Sequence, residues 1–427
     1  MQMIRHLITG AISFAGIFLL LNLAWAYNGD DNMNSEDNTA FGLIGTVASG
    51  NTAFAVDLYT QLTKDGKGGN LFFSPYSLST ALAMTYAGAR GETATQMSKV
   101  LHFPRNQAEL HPAFSHLQDQ VNNATHEDVK LNVANAIWVQ QDYPLMEKFK
   151  KSLERYYQAE PQEVDFENAT EAARKKINTW VETQTVDKIK NLVEKGVLKR
   201  LTRLVLVNAI YFKGNWAMPF DPSDTKSTEF WTTAANSVAV PMMTQKDGFG
   251  YMENDDLQLL KLSYAGNRSK SSRDNNDIEM IVLLPRERDG LAKLTKLLNP
   301  QNLDKWLQRS YWQKVRVFLP KFQISTGFEL SKALSKMGMP DAFRDEANFE
   351  GMDGKKELYL SSVIHQAFVD VNEKGTEAAA ATAVIVGTRG MSPPPPTFRA
   401  DHPFIFLIRH NLSGSILFMG RIVNPKK

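Results

Sequence analysis

The side chains that could carry chemistry in this chain of 427 residues are few and scattered. The chain contains no cysteine, which excludes a thiol nucleophile and a thiolate metal site. No G-x-S-x-G, H-E-x-x-H, P-loop or EF-hand sequence occurs. His111 and His116 are the nearest pair on a predicted helix, but a spacing of five places them on different faces. These residues therefore favour neither an enzyme, nor a metal site, nor a cofactor.

His365 is the one histidine that calls for a choice between chemistry and structure. In SSVIHQAFVDV it shares the face of a predicted strand with apolar residues. It could be a catalytic base, but a core histidine that is hydrogen-bonded to its neighbours is the more frequent arrangement. Burial would require polar partners, and three small polar residues that lie within apolar runs are candidates: Ser74, Ser77 and Asn208.

The composition is that of a globular protein, with 43% hydrophobic and 22% charged residues. A net charge of +2 gives no reason to expect nucleic acid as a partner.

Residues 1–26 predict a secretory signal peptide, since Arg5 precedes an apolar run from Leu7 to about Leu23 and the small-residue site Ala24-Trp25-Ala26 follows. An uncleaved membrane anchor is the alternative. We expect cleavage, no membrane contact afterwards, and secretion, or export to the periplasm in a bacterium.

Four N-x-[ST] triplets would be glycan acceptors if the host is eukaryotic. They begin at Asn123, Asn168, Asn267 and Asn411.

The elements that must position these residues fall into an early helical and a late strand-rich part. Residues 27–50 are rich in Asn, Asp, Gly and Ser and predict a flexible N-terminal extension. Helical periodicity predicts helices from about residue 51, then over 78–87, 107–122, 147–157, 170–193 and 328–338. Strands are predicted over 201–216, 238–245, 278–285, 315–322, 357–372 and 403–423, and a solvated loop over 266–277. The order of elements predicts an α+β protein without a βαβ repeat.

The stretch 373–398, EKGTEAAAATAVIVGTRGMSPPPPTF, fits neither part. It begins like a helix, continues like a strand and ends in the four prolines Pro393 to Pro396.

Residues 51–427 resemble the serpins over essentially their full length. Six blocks occur in the family's order: NLFFSPYSLSTALAMTYAGARGETATQM (70–97), INTWVETQTVDKIKNLV (177–193), LVLVNAIYFKGNW (204–216), DAFRDEANFEGM (341–352), HQAFVDVNEKGTEAAAATA (365–383) and FRADHPFIFLIRHNLSGSILFMGRIVNP (398–425). The resemblance implies a single domain with the serpin fold, about nine helices around three β-sheets, and an exposed reactive-centre loop over 373–398. It also implies a protease inhibitor that works as a monomer.

In such an inhibitor the protease attacks the loop and forms an acyl-enzyme, and the cleaved loop then inserts into a sheet as a new strand. The residues that match the loop entry are Glu373, Gly375 and Thr376, and those that match its small-residue stretch are Ala378, Ala379, Ala380 and Ala381. The family's spacing then places the scissile bond at Arg389-Gly390. An arginine there implies a trypsin-like serine protease as the partner, because the pocket of such a protease carries an acidic residue.

The resemblance also assigns conformational roles rather than catalysis. His365, Ser74, Ser77 and Asn208 match a polar cluster beneath the opening sheet, and Trp216 matches a tryptophan beneath the point where insertion begins.

The alternating residues of the loop from Thr376 to Val386 that would face the core are small or β-branched and uncharged, as insertion requires. The prolines would block insertion, but they follow the predicted bond. A non-inhibitory serpin acting as carrier or chaperone is the alternative function, and an exported binding protein with a disordered linker at 373–398 is a third possibility. The segment NQAELHPAFSHLQDQVNNATHED has no Lys or Arg, so heparin-type activation through it is not supported.

Overall fold

The structure is a computed structural model that describes residues 35–66, 68–266, 277–376 and 394–426, with side chains from residue 42 onward in the first helix. The chain divides into two units, Met1–Leu43 and Ile44–Lys427. In the first unit only residues 35–43 are described, and they are helical. The second unit contains every other described element.

The described residues form ten α-helices. They are α1 (Ser35–Asp65), α2 (Pro75–Tyr86), α3 (Gly91–Val100), α4 (Gln107–Asn123), α5 (Glu147–Tyr157), α6 (Thr170–Gln184), α7 (Leu291–Leu297), α8 (Pro300–Arg309), α9 (Ser331–Met337) and α10 (Glu350–Asp353).

Helix α1 begins at Ser35, so the predicted flexible extension is wrong for residues 35–50. Ile44, Val47 and Ala48 are buried and continue the three-four spacing of the helix upstream of Asn51. The many Asn, Asp, Gly and Ser residues around them concealed this apolar stripe in the sequence. Residues 27–34 lie outside the described residues.

Fifteen strands are described. They are β1 (Leu71–Phe73), β2 (Val129–Gln140), β3 (Gln162–Val164), β4 (Leu204–Asn215), β5 (Lys226–Trp231), β6 (Ser237–Glu253), β7 (Leu257–Ser263), β8 (Ile278–Pro285), β9 (Tyr311–Pro320), β10 (Phe322–Glu329), β11 (Ser362–Asn372), β12 (Gly375–Thr376), β13 (Thr397–Arg399), β14 (Phe404–His410) and β15 (Ile416–Ile422).

The strands form two sheets in the described parts of the chain. A nine-stranded sheet has the order β1-β15-β14-β8-β7-β6-β9-β13, and β5 pairs with β6 beside this path. A six-stranded sheet has the order β10-β11-β12-β4-β2-β3. The α+β class is confirmed. The resemblance implies three sheets, whereas the described residues form two. The reason is that β6 is 17 residues long and pairs with β5, β7 and β9, so it joins these strands into one continuous sheet.

Helix α6 covers one face of the six-stranded sheet. Its residues Ile177 and Val181 are fully buried in a core cluster with Val205, Val207 and Ile364 of the sheet. The opposite side of β4 is buried as well, since nine consecutive residues from Leu204 to Phe212 have almost no exposure. A central strand covered on both faces is what the continuous apolar run in the sequence predicts.

Candidate functional site

Strands β4 and β11 lie side by side at the centre of the six-stranded sheet. They pair in parallel from Ser362 opposite Val205 to Phe368 opposite Tyr211, and we call this pairing the seam. Beyond the seam, strand β12 lies between the two strands and pairs antiparallel with both of them. The chain that leads into residues 377–393 therefore begins as a strand between β4 and β11.

Gly375 holds β12 in this narrow position. Its φ angle is +149°, and a Cβ atom added to it would lie 2.1 Å from the carbonyl oxygen of Gly214. Only glycine fits so close an approach of two backbones.

Thr376 is fully buried at the end of β12. Its Oγ1 lies 3.0 Å from the hydroxyl of Tyr264, whose pKa is raised by burial. The Tyr264 ring stacks on Trp216 with 4.6 Å between the ring centroids. Trp216 in turn donates from Nε1 to the carbonyl oxygen of Asn372 at 3.0 Å. Two aromatic rings thus support the first turn of the predicted loop, and Trp216 lies beside the point where β12 begins.

Glu373 fixes the turn between β11 and β12. Its carboxylate receives a bond from Thr225 Oγ1 at 2.9 Å and an ion pair from Lys321 Nζ at 2.8 Å. Its carbonyl oxygen accepts from the amide of Phe220 at 2.8 Å. Partial burial raises the pKa of Glu373, but the bonds from Lys321 and Thr225 outweigh it, so the pKa lies below its ordinary value. The loop entry is consequently held by three residues outside the two strands, Phe220, Thr225 and Lys321.

The structure brings the predicted polar cluster together below the seam. His365 is fully buried, and its Nε2 accepts from the backbone N–H of Ser74 at 3.1 Å. Its Nδ1 bonds Asn208 Oδ1. Asn208 donates to Ser77 Oγ at 2.5 Å. The four residues singled out from the sequence are one hydrogen-bonded group.

These contacts determine the protonation of His365. Because Nε2 accepts a hydrogen bond and Asn208 Oδ1 can only accept, the proton of the neutral ring is on Nδ1. Burial lowers the pKa of His365 to about 3, against the opposing effect of Asn208, so the ring is neutral at physiological pH.

A nucleophile–base pair is not formed here. The Oγ of Ser74 donates to the carbonyl oxygen of Leu417 at 2.6 Å, and it accepts the N–H of Ser77 at 3.1 Å as the N-cap of α2. His365 contacts the backbone of Ser74 and not its hydroxyl. The interpretation of His365 as a catalytic base is therefore wrong, and the cluster ties β4 and β11 to α2 and β15.

Asn135 is a member of the cluster that the sequence did not indicate. Its Oδ1 accepts from Ser77 Oγ at 3.0 Å and from Asn208 Nδ2. Asn135 is a polar residue within the apolar run VKLNVANAIWVQ, just as Asn208 is a polar residue within the apolar run of β4. This similarity is the feature of the sequence that could have indicated it. Strand β2 was not predicted, so this asparagine had no assigned neighbours.

His111 is also buried, with Nδ1 at 2.6 Å from the hydroxyl of Tyr157. Burial, and to a lesser extent Arg90, lowers its pKa to about 4. In the described segments, no group of three or more His, Asp and Glu residues could hold a metal ion. No helix in the same segments is long and apolar enough to cross a membrane.

Several predicted site residues lie outside the described residues. They are Ala378, Ala379, Ala380, Ala381, Arg389 and Gly390. The predicted solvated loop falls mostly on residues 267–276, which are not described either.

Comparisons with known protein families and with curated proteins point to the same family. A family model described as serpin (serine protease inhibitor) matches residues 49–425. The chain is 42% identical over 387 residues to the leukocyte elastase inhibitor of Bos taurus, covering 89% of this chain and 99% of the relative. It is 38% identical to Serpin B3 of Homo sapiens over 90% of this chain and 100% of the relative.

Solved structures match to the same extent. Human thyroxine-binding globulin superposes with a TM-score of 0.80 at 32% identity, covering 90% of this chain and 99% of that chain. Uncleaved ovalbumin gives a TM-score of 0.78 at 28% identity, with 89% and 100% covered. The fold that the sequence resemblance implied is confirmed.

Proposed function

The chain belongs to the serpin family, and from this premise we propose that it inhibits trypsin-like serine proteases as a suicide substrate. The matching family model is described as a serine protease inhibitor, and the leukocyte elastase inhibitor at 42% identity is named as an inhibitor as well. The finer proposal names Arg389-Gly390 as the bond that the protease attacks, with Arg389 in its specificity pocket.

The position of β12 is the observation that supports this proposal. Gly375 and Thr376 already lie between β4 and β11, directly above the seam. A chain that continued from Thr376 in the same direction would run along the seam as an added strand. The residues that follow in the sequence, from Glu377 to Gly387, include no proline and only one charged side chain.

The proposed chemistry needs nothing beyond the protease's own groups. The protease serine attacks the carbonyl carbon of Arg389, the bond to the nitrogen of Gly390 breaks, and the new amino terminus leaves with a proton from the protease histidine. The acyl-enzyme ester then holds the protease on Arg389. Insertion of the cleaved loop would carry the protease along the sheet before water hydrolyses the ester.

Insertion would have to part the seam. The seven paired positions between β4 and β11 would be exchanged for pairing of each strand with the inserted loop. The polar cluster joins the two strands through the bond between His365 and Asn208, so this bond must break or rearrange. We infer that the cluster sets the energy required to open the sheet.

We also propose that the protein is exported. The charged start, apolar run and small-residue site of residues 1–26 support this. Edman or mass-spectrometric determination of the mature amino terminus would test it, with Tyr27 as the expected first residue.

Incubation with trypsin tests the proposed inhibition. We expect an SDS-stable species with the summed mass of the two proteins, and cleavage after Arg389 in the serpin that escapes. Trypsin with a blocked active-site serine is the control and should give neither. Cleavage without any stable complex would contradict the proposal and favour a non-inhibitory serpin such as a carrier, while cleavage elsewhere would show that the bond is misplaced.

A further inference from the structure

One outward face of the nine-stranded sheet is strongly basic. Cross-strand pairing places Lys246 of β6 opposite Arg316 of β9, and Lys314 opposite Gly248. The three cationic residues are exposed. None of them forms an ion pair with a carboxylate in the described residues. The Cβ atoms of a directly opposed pair such as Lys246 and Arg316 lie about 5 Å apart, and Lys314 lies two residues from Arg316, about 7 Å along β9, so the three like charges share one face.

An exposed tryptophan lies on the same face. Trp312 pairs opposite Gly250 and is 66% exposed. A Cβ atom added to Gly248 would lie 2.5 Å from Trp312 Nε1, so the indole rests directly on the glycine backbone. The sheet therefore presents a flat aromatic surface among cations, and tryptophan and arginine are the residues that most often dominate protein interfaces. We call Lys246, Lys314, Arg316 and Trp312 the basic face.

The basic face adjoins the far end of the reactive loop. Strand β13 begins at Thr397, which pairs with Arg316, and the amide of Arg316 donates to the carbonyl oxygen of Pro396 at 2.9 Å. Thr397 follows Gly390 by seven residues. At no more than about 3.6 Å per residue, the predicted bond lies within about 25 Å of the basic face.

A protease bound at that bond is large enough to reach this face. A globular domain of about 230 residues has a radius of gyration near 17 Å, which corresponds to a body about 45 Å across. Unpaired cations beneath such a body favour a partner with acidic residues. We propose that the basic face is a second docking surface for the target protease, and that it selects trypsin-like proteases with an acidic surface beside the active site. This inference rests on the proposed function.

Anionic and cationic trypsin are suitable probes because their specificity pockets are alike and their surface charges differ. The measurement is the second-order rate constant for formation of the SDS-stable complex. With the unmodified serpin we expect anionic trypsin to react roughly tenfold faster at low ionic strength, and the preference to shrink as salt is added. The double variant Lys314→Glu/Arg316→Glu should lose the preference.

The matched control is Lys148→Glu/Lys151→Glu on α5, which changes the net charge equally at two exposed lysines. It should keep the preference. Trp312→Ala should slow the reaction with anionic trypsin about threefold or more while leaving the yield of complex unchanged.

The outcomes separate this inference from the function on which it rests. If both double variants lose the preference equally, net charge is responsible and the docking surface is refuted. Unchanged rates for Lys314→Glu/Arg316→Glu refute it as well, although complex formation still supports inhibition. If neither trypsin gives a complex, the proposed function fails too. Added heparin should slow the unmodified serpin by competition, and acceleration would show that the face takes a sulfated polysaccharide instead.

Discussion

At the scale of the residue, His365 gives the polar cluster a defined dependence on pH. An exposed histidine in the unfolded chain has a pKa of about 6.5, whereas burial lowers the pKa of His365 to about 3. Between these values the unfolded chain binds a proton that the folded chain does not, so stability is complete above about pH 6.5 and falls as the pH is lowered. The loss is about 1.4 kcal/mol per pH unit, or about 2 kcal/mol at pH 5.

The measurement is the urea midpoint at pH 7 and at pH 5, for the unmodified protein and for His365→Gln. Glutamine can still accept and donate but does not titrate. His111 titrates in the same direction and is present in both proteins, so the difference between their two pH shifts isolates His365. We expect the larger fall for the unmodified protein, and equal falls would mean that His365 is not a buried neutral ring.

Arg389 is the residue that would determine which proteases attack the loop. Replacing it by leucine removes the guanidinium that would pair with the acidic pocket of a trypsin-like protease. We expect Arg389→Leu to lower the rate of trypsin inhibition at least 100-fold and to raise the rate with a protease that prefers apolar residues. Lysine at this position is the control and should retain trypsin inhibition. If Arg389→Leu still traps trypsin at the original rate, the reactive bond lies elsewhere.

At the scale of the element, β12 is the feature on which insertion depends. Thr376 is fully buried against Tyr264, so an arginine there would bring a charge and a long side chain into a closed core. We expect Thr376→Arg to convert the protein from inhibitor to substrate, with most molecules cleaved after Arg389 and released. Thr376→Ser keeps the hydroxyl and should keep the complex. Densitometry of complex and cleaved bands gives the ratio, and an unchanged ratio for Thr376→Arg would refute the register of insertion.

Elements with a long, regular pattern could be predicted from the sequence, whereas elements held by tertiary contacts could not. Helix 147–157 and strand 278–285 have the bounds that periodicity predicted. The helix predicted over 170–193 ends at Gln184, because Val186, Asp187 and Asn191 adopt positive φ angles and Asn178 bonds the backbone of Val193. The side chain of Asn178 thus bonds both the N–H and the carbonyl oxygen of Val193, which a continued helix would have bonded within its own backbone.

The same distinction applies to the site. His365, Ser74, Ser77 and Asn208 could be predicted because each is a polar residue in an otherwise apolar run. The support of the loop entry by Tyr264, Lys321 and Thr225 could not, since these residues come from strands or turns far apart in the sequence and none is unusual in its local context. Only the register of β12 between β4 and β11 brings them together.

At the scale of the whole molecule, the proposed mechanism requires that the uncleaved fold is not the most stable one. Cutting the loop frees residues after Thr376 to add a strand to the six-stranded sheet, with about ten new backbone hydrogen bonds worth roughly 0.5–1.5 kcal/mol each. Ordering costs about 1–2 kcal/mol per residue, so these bonds alone nearly cancel. Inhibition therefore requires an additional gain, to which burial of the loop's apolar side chains would contribute.

Calorimetry of the intact and the cleaved protein measures that gain. A net gain of about 10 kcal/mol would raise the melting temperature by about 10 °C or more in a domain of this size. Cleavage by a protease that cuts the loop without being trapped gives the sample. A cut in the exposed segment 233–236 would serve as the matched control, since it frees no strand for insertion. We expect only the loop cut to stabilise the protein. Equal or lower melting after the loop cut would leave no driving force for moving a protease, even if Arg389-Gly390 is the bond that is cut.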